Sequence, residues 1–306
     1  MDELDYRIIE ELQSDSRQSD VRLAKILGTN VVTVRKRIHR LVSDGSVILT
    51  ALPNLIQLGY PVRAFITLGI VMQKGPTITE QLCQYPCLRL VVKCIGFADI
   101  SLRGNFKSTG DLAEFVVNDL GSIKGISNIT TMILLKDVKT TYRRVGAVPK
   151  DKAVLPEGQT IEISETERKI ILELQRNART PLKKLAYDVG VSDVTVYKHI
   201  KKLVSSGTID LTAIASFKKL GYAFRSLIGI EAETSRIFSI AEDIAQHAGV
   251  FGVNVCSGSI QILVAFSMRY YDEFFNIVEE IRNIEGVIKV ETLTYSSVLK
   301  ETFTWI

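Results

Sequence analysis

LAKILGTNVVTVRKRIHRL, from Leu23 to Leu41, and LAYDVGVSDVTVYKHIKKL, from Leu185 to Leu203, carry the same pattern twice, and that pattern decides the fold. In each, an apolar-faced run ends at a glycine, Gly28 or Gly190, a capping residue follows, Asn30 or Ser192, and a basic run begins. Glycine suits the turn after a helix because it has no Cβ, and Asn or Ser caps the next helix by accepting from its unpaired N–H groups. Val34, Ile38 and Leu41 then recur at i, i+4 and i+7, as do Val196, Ile200 and Leu203, and each set makes one inward stripe. Upstream, Leu4, Ile8, Ile9 and Leu12 have helical spacing, and Ile170, Ile171 and Leu174 repeat it. Three short helices with a glycine in the second connection predict a helix-turn-helix. The β-prone stretches after Gly45 and Gly207 make it winged.

The duplication extends beyond these stretches. With residue n set against residue n+162, Leu4–Arg63 falls on Thr166–Arg225 without a gap, and 25 of the 60 pairs are identical. A unit this long is a duplicated domain and not a solenoid repeat. A chain of 306 residues, 46% hydrophobic and 24% charged, has enough apolar content for two such halves with packed cores. A net charge of +4 decides little, but its distribution is informative. Arg17–Arg40 holds seven Lys/Arg against one Asp, and Arg179–Lys202 holds six against two acids. The basic excess sits at one place in each copy, as a nucleic-acid contact requires. The acidic opening Met1–Asp5 has no apolar leader and no run reaches the length of a membrane span, which predicts a cytoplasmic protein. Cys83, Cys87, Cys94 and Cys256 read as buried structural thiols. Only Cys94 has a partner position, so neither a zinc site nor any other metal or cofactor is expected.

After each helical head comes an alternating body. Val62–Met72 reads as a strand, Thr79–Tyr85 as a short helix, Leu88–Phe106 as two strands folded about Gly96, Gly110–Leu120 as a helix and Ser127–Leu135 as a strand. The second half gives Leu227–Ala232, Ser235–Gln246, a strand pair about Gly258, Tyr270–Ile284 and Val287–Tyr295 in the same order. That order is βαββαβ, a ferredoxin-like unit, and the fold class is α+β. The expected division is a winged helix-turn-helix over 1–61, a body over 62–141, a linker over 142–163, a second head over 164–223 and a second body over 224–306.

A recognition helix enters the major groove with its outward face. In the first head the outward residues are Asn30, Val32, Thr33, Arg35, Lys36, Arg37, His39 and Arg40. In the second they are Ser192, Thr195, Tyr197, Lys198, His199, Lys201 and Lys202. Asn30, Val32, Thr33 and Lys36, near the helix start, are expected to read bases. Arg37 and Arg40, with the upstream Arg17, Arg22 and Lys25, are expected to meet phosphates. A basic helix face can also be merely solvated; two copies in the same winged context favour DNA. His39 and His199 have no acidic or cysteine partner in step and read as polar contacts. Arg35 becomes Tyr197, so the two heads are expected to read related but unequal half-sites about one helical turn apart.

The chain resembles the Lrp/AsnC (leucine-responsive / asparagine-regulator) transcription factors. The resemblance rests on Leu4–Gln13, Leu23-Ala24, Leu27–Asn30, Arg37-Ile38, Asp44-Gly45 and Leu58-Gly59, and on Ile170–Gln175, Leu185-Ala186, Val189–Ser192 and Ser206-Gly207. It implies sequence-specific regulation of transcription and RAM-type bodies that self-associate, with an amino acid or other small effector bound between bodies near the turn of the second and third strands. The family's Gly-x-x-Asp pattern there falls on Gly96-Phe97-Ala98-Asp99; the second copy, Gly258-Ser259-Ile260-Gln261, lacks the Asp. The residues alone also allow ordinary turn glycines and a turn polar group at these places. Members usually carry one head and one body, so this chain resembles a covalent pseudo-dimer. Two alternatives stand beside the regulator. One is an enzyme resembling the sirohaem decarboxylases, for which no His/Arg cluster is apparent in the bodies. The other is a low-specificity DNA-packaging protein. No phosphate-binding loop, dinucleotide motif or nucleophile–base pair points to catalysis.

Overall fold

The computed structural model describes residues 1–140, 160–222, 224–247 and 249–304. The greater part of the expected linker, 142–163, lies outside them. The first head comprises α1 (Glu3–Ser14), α2 (Asp20–Leu27), α3 (Val31–Ser43) and the wing strand β1 (Val47–Pro53). Its body follows as β2 (Val62–Ile70), α4 (Gly75–Gln84), β3 (Leu88–Gly96), β4 (Ile100–Phe106), α5 (Thr109–Glu114) and β5 (Ile126–Thr140). The second head is α6 (Glu165–Arg176), α7 (Leu182–Val189), α8 (Asp193–Ser205) and β6 (Ile209–Ala215). The second body is β7 (Phe224–Ala232), α9 (Ile237–Ala245), β8 (Val250–Cys256), β9 (Ile262–Met268), α10 (Tyr271–Arg282) and β10 (Val287–Glu301). Among the described residues no helix is long and apolar enough to cross a membrane.

These elements gather by type across the repeat: the two heads form one compact unit and the two bodies another. Within the head unit, Ile8, Ile9, Leu12, Leu23, Val34 and Leu41 are buried, as the helical spacing predicts. Each wing consists of one strand, and a lone strand leaves its backbone groups unpaired. The two wings therefore pair with each other, β1 antiparallel to β6, with Thr50 directly opposite Thr212. The first helix of each head joins this exchange. Thr50 Oγ1 donates to Gln175 O (2.9 Å) and Thr212 Oγ1 to Gln13 O (2.8 Å). Ala178 N donates to Leu49 O and Ser16 N to Leu211 O, both at 3.0 Å. The Leu-Thr-Ala triplet common to both copies thus forms the centre of the head-to-head seam.

In the body unit each half builds a four-stranded antiparallel sheet with helices on one face. Ile66, Leu68, Ile78, Leu82, Val91 and Leu102 fill the first helix–sheet core, and Ile228, Ile230, Ile240, Ile244, Val253 and Val264 fill the second. The other faces meet, and eight strands close into a barrel in the order β10-β3-β4-β2-β5-β8-β9-β7. Phe65, Met132, Leu134, Leu227, Leu263 and Leu293 pack in its bore. The closing seams explain why β5 and β10 run beyond the expected ends at Leu135 and Tyr295. Their last residues pair with the opposite body, Asp137 with Asn254 and Val298 with Val92. Lys139 Nζ donates to Ala245 O (2.7 Å) at the end of α9, and Lys300 Nζ donates to Tyr85 O (2.7 Å) at the end of α4. Each last strand thereby neutralises the carbonyl end of a helix in the other copy.

One irregularity has a simple origin. β4 and β9 begin 162 residues apart, whereas β5 and β10 begin 161 apart. The first copy carries one extra residue in its second body helix. There α5 passes into a π-helical turn, Phe115–Leu120, while α10 is α-helical throughout. A π turn is how a helix absorbs a single inserted residue without losing its packing on either side.

Candidate nucleic-acid interface

The recognition helices are α3 and α8. Asn30 Oδ1 accepts from Thr33 N (2.8 Å) and Ser192 Oγ from Thr195 N (3.1 Å). Both residues are thus helix caps, with one side-chain oxygen engaged locally. Val32 and Val194 stand 67% and 60% exposed at the start of each helix, where apolar side chains meet thymine methyl groups. Lys36, His39, Lys198 and Lys201 are exposed and make no hydrogen bond or ion pair among the described residues. Tyr197 is exposed, and Arg35 points outward with its Nε 3.1 Å from Asp20.

Four of the expected contacts also bond within their own head, although Arg40 and Lys202 keep 52% and 61% of their side chains exposed. Asp5 is 1% exposed, and its carboxylate takes Arg37 Nη1 (2.9 Å) and Arg40 Nη2 (2.5 Å). Arg37 also holds Asp2 at 2.5 Å and keeps that carboxyl below the ordinary carboxylate range. The second head repeats the device with different residues. Glu167 is 2% exposed and takes Lys202 Nζ (2.8 Å) and His199 Nδ1 (3.2 Å). Burial alone would raise the Glu167 pKa, but Lys202, the Ser164 N–H and His199 outweigh it and hold the carboxyl at about 2. The first helix of each head is thus bolted to its recognition helix through a buried carboxylate. The expectation that His199 has no acidic partner is corrected. The partner lies 32 positions away, at the third residue of the preceding repeat helix, where no local spacing rule looks for it.

Arg17 is corrected in the same way. Its Nη1 donates to Ala178 O (2.6 Å) and Thr180 O (3.0 Å) of the other head. Arg179 reciprocates with Ser16 O (2.8 Å), Gln18 O (2.6 Å) and Asp20 Oδ1 (2.8 Å). These guanidiniums hold the heads together. A signal was available: Arg17 and Arg179 are identical across the repeat while their neighbours, Ser16 and Gln18 against Ala178 and Thr180, are not. Arg22 and Lys25 remain exposed on α2.

The hairpin expected to hold an effector has a structural task. Asp99 Oδ2 accepts from Ile70 N (2.8 Å), and at the matching place Gln261 Oε1 accepts from Ala232 N (3.0 Å). An Asp and a Gln serve equally because each satisfies the last N–H of the strand beside it. Phe97 and Ala98 pack into the bore cluster. Gly96 has φ +140, and a Cβ there would stand 2.2 Å from Thr292 O, so β10 lies directly on it. Gly258, with φ +102, has open space instead, and Ser259 is exposed. The two hairpins therefore differ, and one oxygen of Asp99 is engaged by the neighbouring strand.

The bodies do gather arginines that the sequence hid. Arg63 Nη1 bonds Asp137 (2.5 Å), Asn254 Nδ2 bonds the other oxygen of Asp137, and Arg103 Nη2 reaches Asn254 Oδ1 (3.5 Å). Arg225 grips Glu301 through two bonds (2.9 and 3.0 Å) and lies over the Tyr295 ring. No histidine joins them; His247 pairs with Glu280 at 3.6 Å. Cys256 is buried, and burial pushes its thiol up to about 12, against the pull of Arg103. Among the described residues no group of three His, Cys, Asp or Glu could hold a metal ion.

Comparison with known proteins accords with this architecture. Residues 1–42 match an AsnC-type helix-turn-helix domain, 163–210 a winged helix-turn-helix DNA-binding domain, and 63–144 the Lrp/AsnC ligand binding domain. An HTH-type transcriptional regulator of Pyrococcus furiosus is 34% identical over 146 residues, covering 99% of that protein and 47% of this chain. One from Pyrococcus horikoshii is 31% identical over 144 residues, 97% of its length and 47% of this chain. Each relative thus corresponds to about half of this molecule. Among solved structures, the sirohaem decarboxylase NirDL superposes with a TM-score of 0.71 at 15% identity, over 98% of this chain and 93% of that one. At that identity the likeness is one of fold, head and body twice over.

Proposed function

Because the chain belongs to the Lrp/AsnC family of HTH-type transcriptional regulators, we propose that its two heads bind double-stranded DNA as a single reader of two unequal half-sites, and that a small effector held by the bodies tunes this binding. The observation that supports it best is the division of labour on α3 and α8. In both heads two polar side chains of the helix, Arg37 with Arg40 and His199 with Lys202, engage a buried carboxylate, while Lys36 with Val32, and Lys198 with Val194, remain outward and unpaired among the described residues. A helix held by its inner face and bare on its outer face suits insertion into a major groove. Lys36 and Lys198 are the base- or phosphate-directed cations common to both heads. Arg35, exposed in the first, and Tyr197, exposed in the second, differ between them and distinguish the half-sites. Arg22, Lys25, His39 and Lys201 flank them as backbone contacts.

The enzyme alternative draws on the fold likeness and on the arginines in the barrel, but not on any histidine or nucleophile beside them. Protection of sheared genomic DNA in the presence of random competitor tests the regulator reading. Discrete protected sites, each with two adjacent half-sites, are expected. Uniform protection would instead make the protein a packaging factor, and no protection would leave the heads without a DNA role.

A further inference from the structure

Among the described residues, Arg63, Arg103 and Arg225 gather in the body barrel beside two carboxylates, Asp137 and Glu301. Arg103 lies directly across the strand pair from Phe65, which is buried in the bore cluster, so the two side chains share that face. The two carboxylates beside it are already matched, Asp137 with Arg63 and Glu301 with Arg225. Arg103 makes no ion pair among the described residues; its one polar contact is the neutral Asn254 Oδ1 at 3.5 Å. Arg63 Nε is also buried without an acceptor. A half-buried guanidinium without a counter-charge is costly and calls for an anion.

The duplication places smaller residues on the other half of the bore. The position matching Arg103 in the other copy is Ala265, and its cross-strand neighbour is Gly252, where the first copy has Leu90. A Cβ on Gly252 would stand 3.3 Å from the Ala265 Cβ, which places both on the same face of the sheet. Ala265 packs with the bore cluster. One half of the bore thus carries Arg and Leu, and the other a methyl group and a hydrogen. The neighbouring walls are Phe65, Met132, Leu227 and Leu263.

We propose that Arg103 binds the carboxylate of a small aliphatic monocarboxylic acid inside the barrel, with the acid's apolar body in the space beside Gly252 and Ala265. A guanidinium fork matches a carboxylate, and the walls match a branched alkyl group. Asp137 and Glu301 are already held by arginines, and an α-ammonium group would add a second positive charge beside Arg103. The site therefore prefers the simple acid to the amino acid of the same skeleton. Its regulatory meaning rests on the effector reading above, but its occupancy does not.

Calorimetric titration of the full chain with 3-methylbutanoate, in the absence of DNA, tests this. Saturable binding to one site per chain is expected, with leucine at least about tenfold weaker. Arg103→Gln should weaken binding by on the order of a hundredfold. Ala265→Val, which keeps the arginine and fills the space, should weaken it by about tenfold or more. Unchanged melting temperatures would show that both variants fold. No saturable binding by the wild type, equal binding of leucine, or undiminished binding by folded Arg103→Gln would overturn the proposal. Failure of the DNA footprint with carboxylate binding intact would overturn only the regulator reading.

Discussion

At the residue scale, side chains of one type on one helix face perform two unrelated tasks. Lys36 is exposed and unpaired, whereas Arg37 and Arg40 close on Asp5. Lys36→Ala is expected to weaken DNA binding by about tenfold and to lower its salt dependence, with no change in unfolding free energy. Arg40→Ala is expected to cost about 2 kcal/mol of head stability, because it strips a charge-assisted bond from a buried carboxylate. Denaturant titration beside filter binding separates the two; equal stability loss in both variants would contradict the assignment. Glu167 gives a pH signature. Its folded-state pKa of about 2 lies below the ordinary 4.5, so as pH falls protons bind the unfolded chain first. Its contribution is complete above about 4.5 and is lost between there and about 2. Glu167→Gln should flatten that part of the acid-unfolding curve, and an unaltered curve would remove the claim.

At the element scale, the sequence predicts the helices, the caps and the βαββαβ order because each follows from local spacing. Gly28, Asn30 and the Val34-Ile38-Leu41 stripe are all legible within a few residues. What escaped was decided by partners far along the chain. β5 and β10 run long because their charged ends, Asp137 and Lys139 or Lys300, find a strand or a helix end in the other copy. Asp99 fits a family pattern, and one of its oxygens also caps the N–H of Ile70, 29 residues away. Arg17 reads as a phosphate contact because charge is visible in sequence and acceptors are not. Arg179→Ala is therefore expected to loosen the head pair by about 2–3 kcal/mol, since three acceptors lose a half-buried donor. Faster hydrogen exchange along β1 and β6 should report it. Exchange unchanged from wild type would mean that the wing pairing alone holds the heads.

At the scale of the whole molecule, duplication lets one chain do what two identical chains do, with one difference: the halves are free to diverge. They have diverged at Arg35 against Tyr197 and at Arg103 against Ala265, the positions proposed to distinguish half-sites and to hold a carboxylate, and have kept what makes the seams, Leu49-Thr50-Ala51 against Leu211-Thr212-Ala213. The shared wing sheet and the exchanged arginines make the two heads one hydrogen-bonded unit. The separation of α3 from α8 is then a property of that folded unit and not of the linker. The most direct measurement is the affinity of the protein for its footprinted site after base pairs are inserted between the half-sites. With the heads held as one unit, inserting about five base pairs, half a helical turn, should reduce affinity to that of a single half-site, and inserting about ten should not restore it. Full recovery at about ten base pairs would show that the heads reach independently, and would contradict this account of how the molecule reads DNA.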